Sequence, residues 1–171
     1  MKKALISILL ILLLCTACSA PSSISTTQQS DSSASEQAEK KTFAIGEECF
    51  VKNDNGEYKI TITGIKETDD RNEFSDIEAE RVVIVSYTYE NISCADDLYV
   101  SDMNFKLYDA DGNILESYPV VDVTYPDSIG QGRKCSADAA YALNNPQNHI
   151  ELELYGNMFS STADCMFLLE W

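Results

Sequence analysis

The sequence predicts an all-β fold, an antiparallel sandwich, and three observations predict it. Beyond residue 42 the apolar residues recur with a period of two. Polar turn segments separate these alternating runs, and no stretch carries the apolar stripe of a helix. Alternation is what burying one face of a sheet demands, whereas a parallel sheet covered on both faces would read as continuous apolar runs. With 171 residues the chain supports one modest domain of this kind.

The strands can be placed in order. Residues 43–50 make a first strand interrupted by Gly46. Tyr58, Ile60 and Ile62 then alternate with Lys59, Thr61 and Thr63. Residues 81–90 put Val83, Val85, Tyr87 and Tyr89 on one face; Val82 and Ile84 leave the other face half apolar, as expected of a central strand. Phe105 and Leu107 share a side before Asp109-Ala110-Asp111-Gly112-Asn113, a sharp turn leading into a predicted strand over 114–120. Cys135, Ala137, Ala139 and Tyr141 alternate, as do Ile150, Leu152 and Leu154, and finally Cys165, Phe167, Leu169 and Trp171. Segments 68–80 and 121–134 match no period and are expected to be long loops or short helical turns.

Ahead of this domain the sequence reads as an address. Lys2 and Lys3 precede residues 4–14, apolar except for Ser7. That run falls short of the about 20 residues a membrane-spanning helix needs and fits an export signal over residues 1–17. Leu14-Cys15-Thr16-Ala17-Cys18 resembles a bacterial lipoprotein processing site, which implies that Cys18 receives the lipid. Two acyl chains hold a protein to a bilayer far more firmly than one, without any basic patch. Residues 18–41 then form a tether: eight Ser and two Thr in segment 19–41, without an aromatic residue, cannot offset the entropy of ordering. Its expected reach is about 26 Å. The globular domain is expected over residues 42–171, at the outer face of the cytoplasmic membrane.

Charge narrows the function. Twelve basic residues stand against 28 acidic ones, a net charge of −16, and no Lys/Arg cluster exists to neutralise a phosphate backbone. Nucleic acid is therefore excluded as a partner. His149 is the only histidine, which excludes schemes needing two imidazoles. A triad drawn through His149, Ser136 and Asp138 has no supporting motif. Asp69, Asp70, Glu73 and Asp76, with Glu78 and Glu80, form the densest set of oxygen ligands and would suit Ca²⁺, although a solvated acidic loop explains the same residues without a metal and is the favoured reading. Asp109–Asn113 lacks the Gly and Glu positions of a calcium-binding loop and is expected to be a turn. The Asn91-Ile92-Ser93 sequon reads better as a strand end than as a glycan acceptor. Tyr99, Tyr108, Tyr118 and Tyr125 cluster mid-sequence and are candidates for a recognition face.

Several segments in order resemble a family of immunoglobulin-like domains in Gram-positive lipoproteins, related in fold to a small secreted mycobacterial antigen. They are Phe43-Ala44-Ile45-Gly46-Glu47, the valine-rich strand ending in Asn91, Phe105-Lys106-Leu107-Tyr108-Asp109-Ala110-Asp111-Gly112, and the turn at Gly132. The family's Pro at that last turn is absent here. The resemblance implies an extracellular sandwich and supplies no catalytic residues.

Once Cys15 leaves with the signal and Cys18 is lipidated, Cys49, Cys94, Cys135 and Cys165 remain, an even number in an exported domain. Three pairings are possible. An immunoglobulin-like topology sets the end of the third strand beside the start of the sixth, which favours Cys94 with Cys135 and leaves Cys49 with Cys165. Four free thiols is the competing reading, and the absence of close CxxC pairs disfavours zinc. The combined expectation is a monomeric, membrane-anchored extracytoplasmic module that binds a protein, glycan or small ligand without any cofactor. A carboxylate- or metal-dependent hydrolase and a structural envelope protein are the alternatives.

Overall fold

The computed structural model describes residues 42–171. The expected export signal, Cys18 and the tether lie outside the described residues. In chain order the strands are β1 (Thr42–Phe43), β2 (Glu48–Asn53), β3 (Gly56–Thr68), β4 (Arg81–Asn91), β5 (Phe105–Asp109), β6 (Lys134–Leu143), β7 (His149–Leu154) and β8 (Cys165–Glu170). A 3-10 turn, Asp102–Asn104, precedes β5. One sheet has the order β2-β3-β4-β6 and the other β1-β8-β7-β5. All neighbours are antiparallel except β1 and β8.

The core lies between the sheets and consists of the residues that alternate in the sequence. Ile60, Ile62, Val83 and Val85 from one sheet meet Leu107, Leu152, Phe167 and Leu169 from the other, all fully buried. A bulge in β3 keeps this pattern going. The register with β4 jumps between Ile62 and Gly64, so the inward face passes from even to odd positions and Ile65 packs on the core while Lys66 faces out. Without that extra residue every later side chain of β3 would face the wrong way.

The predicted first strand is two strands in different sheets. Gly46 stands at the crossing with φ 87°, a left-handed conformation cheap only for glycine, and its N–H bonds Ile62 O at 2.8 Å. The predicted strand over 114–120 is a bridge between sheet edges instead. Leu115 N bonds Leu107 O on β5, while Tyr118 N bonds Ala140 O and Ala142 N bonds Glu116 O on β6. A segment that serves two edges in turn cannot extend either as a ladder. The Asp109 turn is as expected: Asp109 Oδ1 accepts from the N–H groups of Asp111 and Asn113 at 2.9 and 2.8 Å, and Gly112 has φ 81°.

Cys49 and Cys165 form a disulfide with a Cα separation of 6.6 Å, joining β2 to β8 across the sandwich. Such a bond persists in oxidising compartments. The pairing of Cys94 with Cys135 does not form; both are free thiols. After β4 the chain folds onto the start of β3, where Ile92 N and Ser93 N both bond Glu57 O and Ala95 N bonds Asn55 O. Cys135 lies on the opposite flank, on β6 across from Tyr89. Cys94 lies against Gly56 at the start of β3, while Cys135 is level with Tyr89 and Ile60, so the two are offset both across and along the sheet and no disulfide joins them.

Candidate functional site

The outer face of β4 is apolar and is not left to solvent. Val82 and Ile84 form a second buried cluster with Ala140 and Ala142 of β6 and with Tyr118 and Val120 from the long β5–β6 connection; Ile77, Ala79 and Val123 pack against it. The β3–β4 connection is stitched by Arg71, whose guanidinium bonds the carbonyls of Thr68 (2.8 Å), Asp70 (2.9 Å) and Glu80 (3.3 Å). Asp70 Oδ2 accepts from Val121 N at 3.2 Å, and Tyr118 Oη accepts from Asn72 N at 3.2 Å. Two irregular connections thus cover this face together. The acidic segment serves as cover: among the described residues no three His, Cys, Asp or Glu side chains group as a metal site, Asp69, Asp70, Glu73 and Asp76 included.

Along the outer edge of β6, where the β5–β6 connection bonds to it, this cover leaves a cleft of about 340 Å³. Tyr118, Pro119, Val120, Tyr125 and Pro126 form its apolar wall, and Tyr87, Asp102 and Asp138 supply its polar groups. Each part is held from behind. The 3-10 turn carrying Asp102 is fixed by a capping box, with Ser101 Oγ accepting from Met103 N and Asn104 Oδ1 accepting from Ser101 N. Asn104, itself buried, donates through Nδ2 to Tyr155 O at 3.0 Å. Asp102 then receives a bond from Ser117 Oγ at 2.9 Å.

Tyr125 is 71% exposed, yet the backbone on both sides of it is pinned. Before it, Thr124 O accepts from Asp138 N at 2.8 Å and Thr124 N donates to Asp138 Oδ2 at 3.0 Å. After it, Tyr89 Oη bonds both O and N of Asp127. Ser86 Oγ donates to Asp138 Oδ1 at 2.6 Å. Burial opposes the charge on Asp138, but the bonds from Ser86 and Thr124, with the nearby charge of Lys66, outweigh it and lower its pKa. Asp138 is therefore a fixed anion in the cleft wall.

Two of the four candidate tyrosines meet here, Tyr118 and Tyr125. Tyr99 is exposed outside the cleft lining, and Tyr108 lies on β5 in the other sheet, opposite Glu151 of β7. His149 opens β7 with Nδ1 3.8 Å from Glu170 Oε1, in the sheet that does not contain Ser136 and Asp138, so no triad assembles. Asn91 is wholly buried: its Nδ2 donates to Asp96 O and Ile129 O, and its Oδ1 accepts from Cys94 N at 2.8 Å. Asp102 and Ser117 are not marked as site residues by the sequence, and Asp138 is marked only as a member of the unsupported triad, because the three converge only through the β5–β6 connection. The available signal was Ser101-x-x-Asn104, a capping pattern, and the two prolines bracketing 119–126.

Neither a protein-family model nor a curated protein sequence matches the chain. Among solved structures, it is similar to MPT63, a secreted protein from Mycobacterium tuberculosis, at 13% identity over 78% of this chain and 99% of that one, with a TM-score of 0.60. It is also similar to the yjhA protein from Bacillus subtilis at 18% identity, over 75% of this chain and 98% of that one, with a TM-score of 0.54. At these identities the likeness concerns the fold alone: the described domain is an immunoglobulin-like β-sandwich.

Proposed function

We propose that this protein is a lipid-anchored, extracytoplasmic binding module of the immunoglobulin-like family found in Gram-positive lipoproteins. It engages its ligand noncovalently in the cleft at the β6 edge. One observation carries the reading: Tyr125 is exposed, while its backbone neighbours are pinned to Asp138 and to Tyr89. A large ring held this way loses little entropy on contact, the property that marks binding anchors. The disulfide supports an oxidising location, and the Leu14–Cys18 motif supports lipid on Cys18.

A photo-crosslinking residue at position 125 in intact cells tests the site. The expected result is a discrete adduct that is missing when the same residue is placed at Lys52, exposed on β2 at the other edge of that sheet. Identical adducts from both positions would remove the cleft from consideration. Membrane fractionation tests the anchor, because Cys18→Ala should release the protein from membranes.

A further inference from the structure

We propose that two copies of this chain pair through β2, edge to edge and antiparallel, centred on Phe50. The pairing stands apart from the cleft, which lies at the other end of that sheet. The starting observation is how the sheet edges end. β1 is two residues long. The edge of β5 takes a bond from Leu115 N to Leu107 O, and the edge of β6 is bonded by Glu116, Tyr118 and Thr124. Short strands and covering loops keep edges from pairing with other chains. β2 runs six residues without proline, glycine or a bulge, and its edge has no such cover among the described residues.

Half of the β2 backbone is unused. Asn53 and Gly56 close the two-residue turn Asp54-Asn55 and so exchange hydrogen bonds; by the alternation of an antiparallel ladder, Val51 and Cys49 also bond toward β3. The N–H and C=O groups of Glu48, Phe50 and Lys52 therefore point away from β3, and no described residue bonds them. Two such edges satisfy each other only in a register that sets these three residues opposite one another. A two-fold axis at Phe50 does so. Phe50 then faces Phe50 of the second copy, and Glu48 of each copy faces Lys52 of the other, each pair exchanging two main-chain bonds.

Charge selects the same register. Glu48, Phe50 and Lys52 share the outer face of β2, whereas Cys49 and Val51 are buried in the core. Phe50 is 56% exposed, and Lys52 has no ion pair among the described residues. Slid by two residues, Glu48 would face Phe50 in one direction and Asp54 in the other; centred on Lys52, two lysines would meet. In the proposed register Glu47 faces Asn53 and Asp54 faces Gly46, so no like charges are opposed. The net charge of −16 opposes approach, but it is screened beyond about 8 Å at physiological salt. The interface is small, of the transient class. Its product departs from the monomer expected from the sequence: the two four-stranded sheets become one, with β6 and its cleft at each outer end. Such a pair can engage a ligand array at two points.

Photo-crosslinking of the full chain in intact cells tests the proposal, with benzoylphenylalanine in place of Phe50 and two affinity tags on separate copies. The expected product has twice the chain mass, carries both tags and joins two copies of segment 48–53. Glu48→Lys and Lys52→Glu should each lower its yield about fivefold or more, because each sets like charges opposite one another. Coexpressing the two variants should restore the product between them, since each then meets its complement. A residue that only stabilised its own chain would not be rescued this way. The same photo-residue at Lys52 should give this doubly tagged product and not the adduct formed at position 125. Absence of the doubly tagged product would overturn the pairing, and so would its replacement by an adduct to another protein or to residues 18–41 of the same chain. Unchanged yields in the single variants, or no rescue in the mixture, would overturn it as well. Loss of the adduct at position 125 alone would remove the cleft and leave the pairing intact.

Discussion

The two faces of β4 are covered differently: the inner face is buried from Val83 to Asn91, the outer face only at Val82 and Ile84. Val83, Val85, Tyr87 and Tyr89 face the opposite sheet, whose position is fixed by strand ladders and by the Cys49–Cys165 bond. Val82 and Ile84 face two irregular connections held by a few bonds, such as Asn72 N to Tyr118 Oη and Val121 N to Asp70 Oδ2. Apolar burial alone thus does not make a second rigid layer. It makes a cover that can be lined with functional groups, and the cleft occurs where that cover meets the β6 edge. Regions with irregular cover are also those expected to open at low free energy.

Three experiments can break or sharpen this contrast. The largest effect is expected from Cys49→Ser combined with Cys165→Ser. The bond spans 116 residues of sequence, and its loss should lower unfolding stability by about 4–5 kcal/mol in urea titration. Next is a pair of truncations. Leu152→Ala, in the inner core, should cost about 3–4 kcal/mol, and Ile84→Ala, under the connections, roughly 2 kcal/mol because its cover can collapse into the space. Equal costs would mean that the outer cover is as rigid as a sheet.

The smallest effect is one of pH. The folded-state pKa of Asp138 lies below its ordinary value, so its stabilisation is fully present above the ordinary carboxylate range. It is lost as pH falls through that range and then through the depressed folded value. Asp138→Asn should therefore flatten the acid limb of the melting curve below about pH 4 and leave hydrogen exchange in the inner core unchanged.

The same contrast explains what could be read from residues alone. The inner strands were legible because one-sided burial leaves a period of two, as in Tyr58, Ile60 and Ile62 or Ile150, Leu152 and Leu154. The half-apolar second face of β4 was visible too, but not what covers it. Segment 114–120 looked like a strand because Leu115, Tyr118 and Val120 are buried, yet they are buried against different elements. Tyr118 and Tyr125 could be singled out by residue type. Asp102 could not, because its place in the cleft depends on the capped turn after β4 and on Ser117, contacts that form only once the chain has folded. The same limit applied to Cys94 and Cys135, whose separation depends on the chain turning onto β3 after Asn91.

The crossing from β1 to β2 has a mechanical consequence. A pull applied across residues 42 and 171 first shears the two-residue parallel contact of β1 with β8, then reaches Cys49, where the covalent bond hands the tension directly to Cys165. Everything between those cysteines, the β6 edge included, lies off the load path. Stretching the protein would strain a short track along one side, while the rest of the sandwich hangs beside it under no tension.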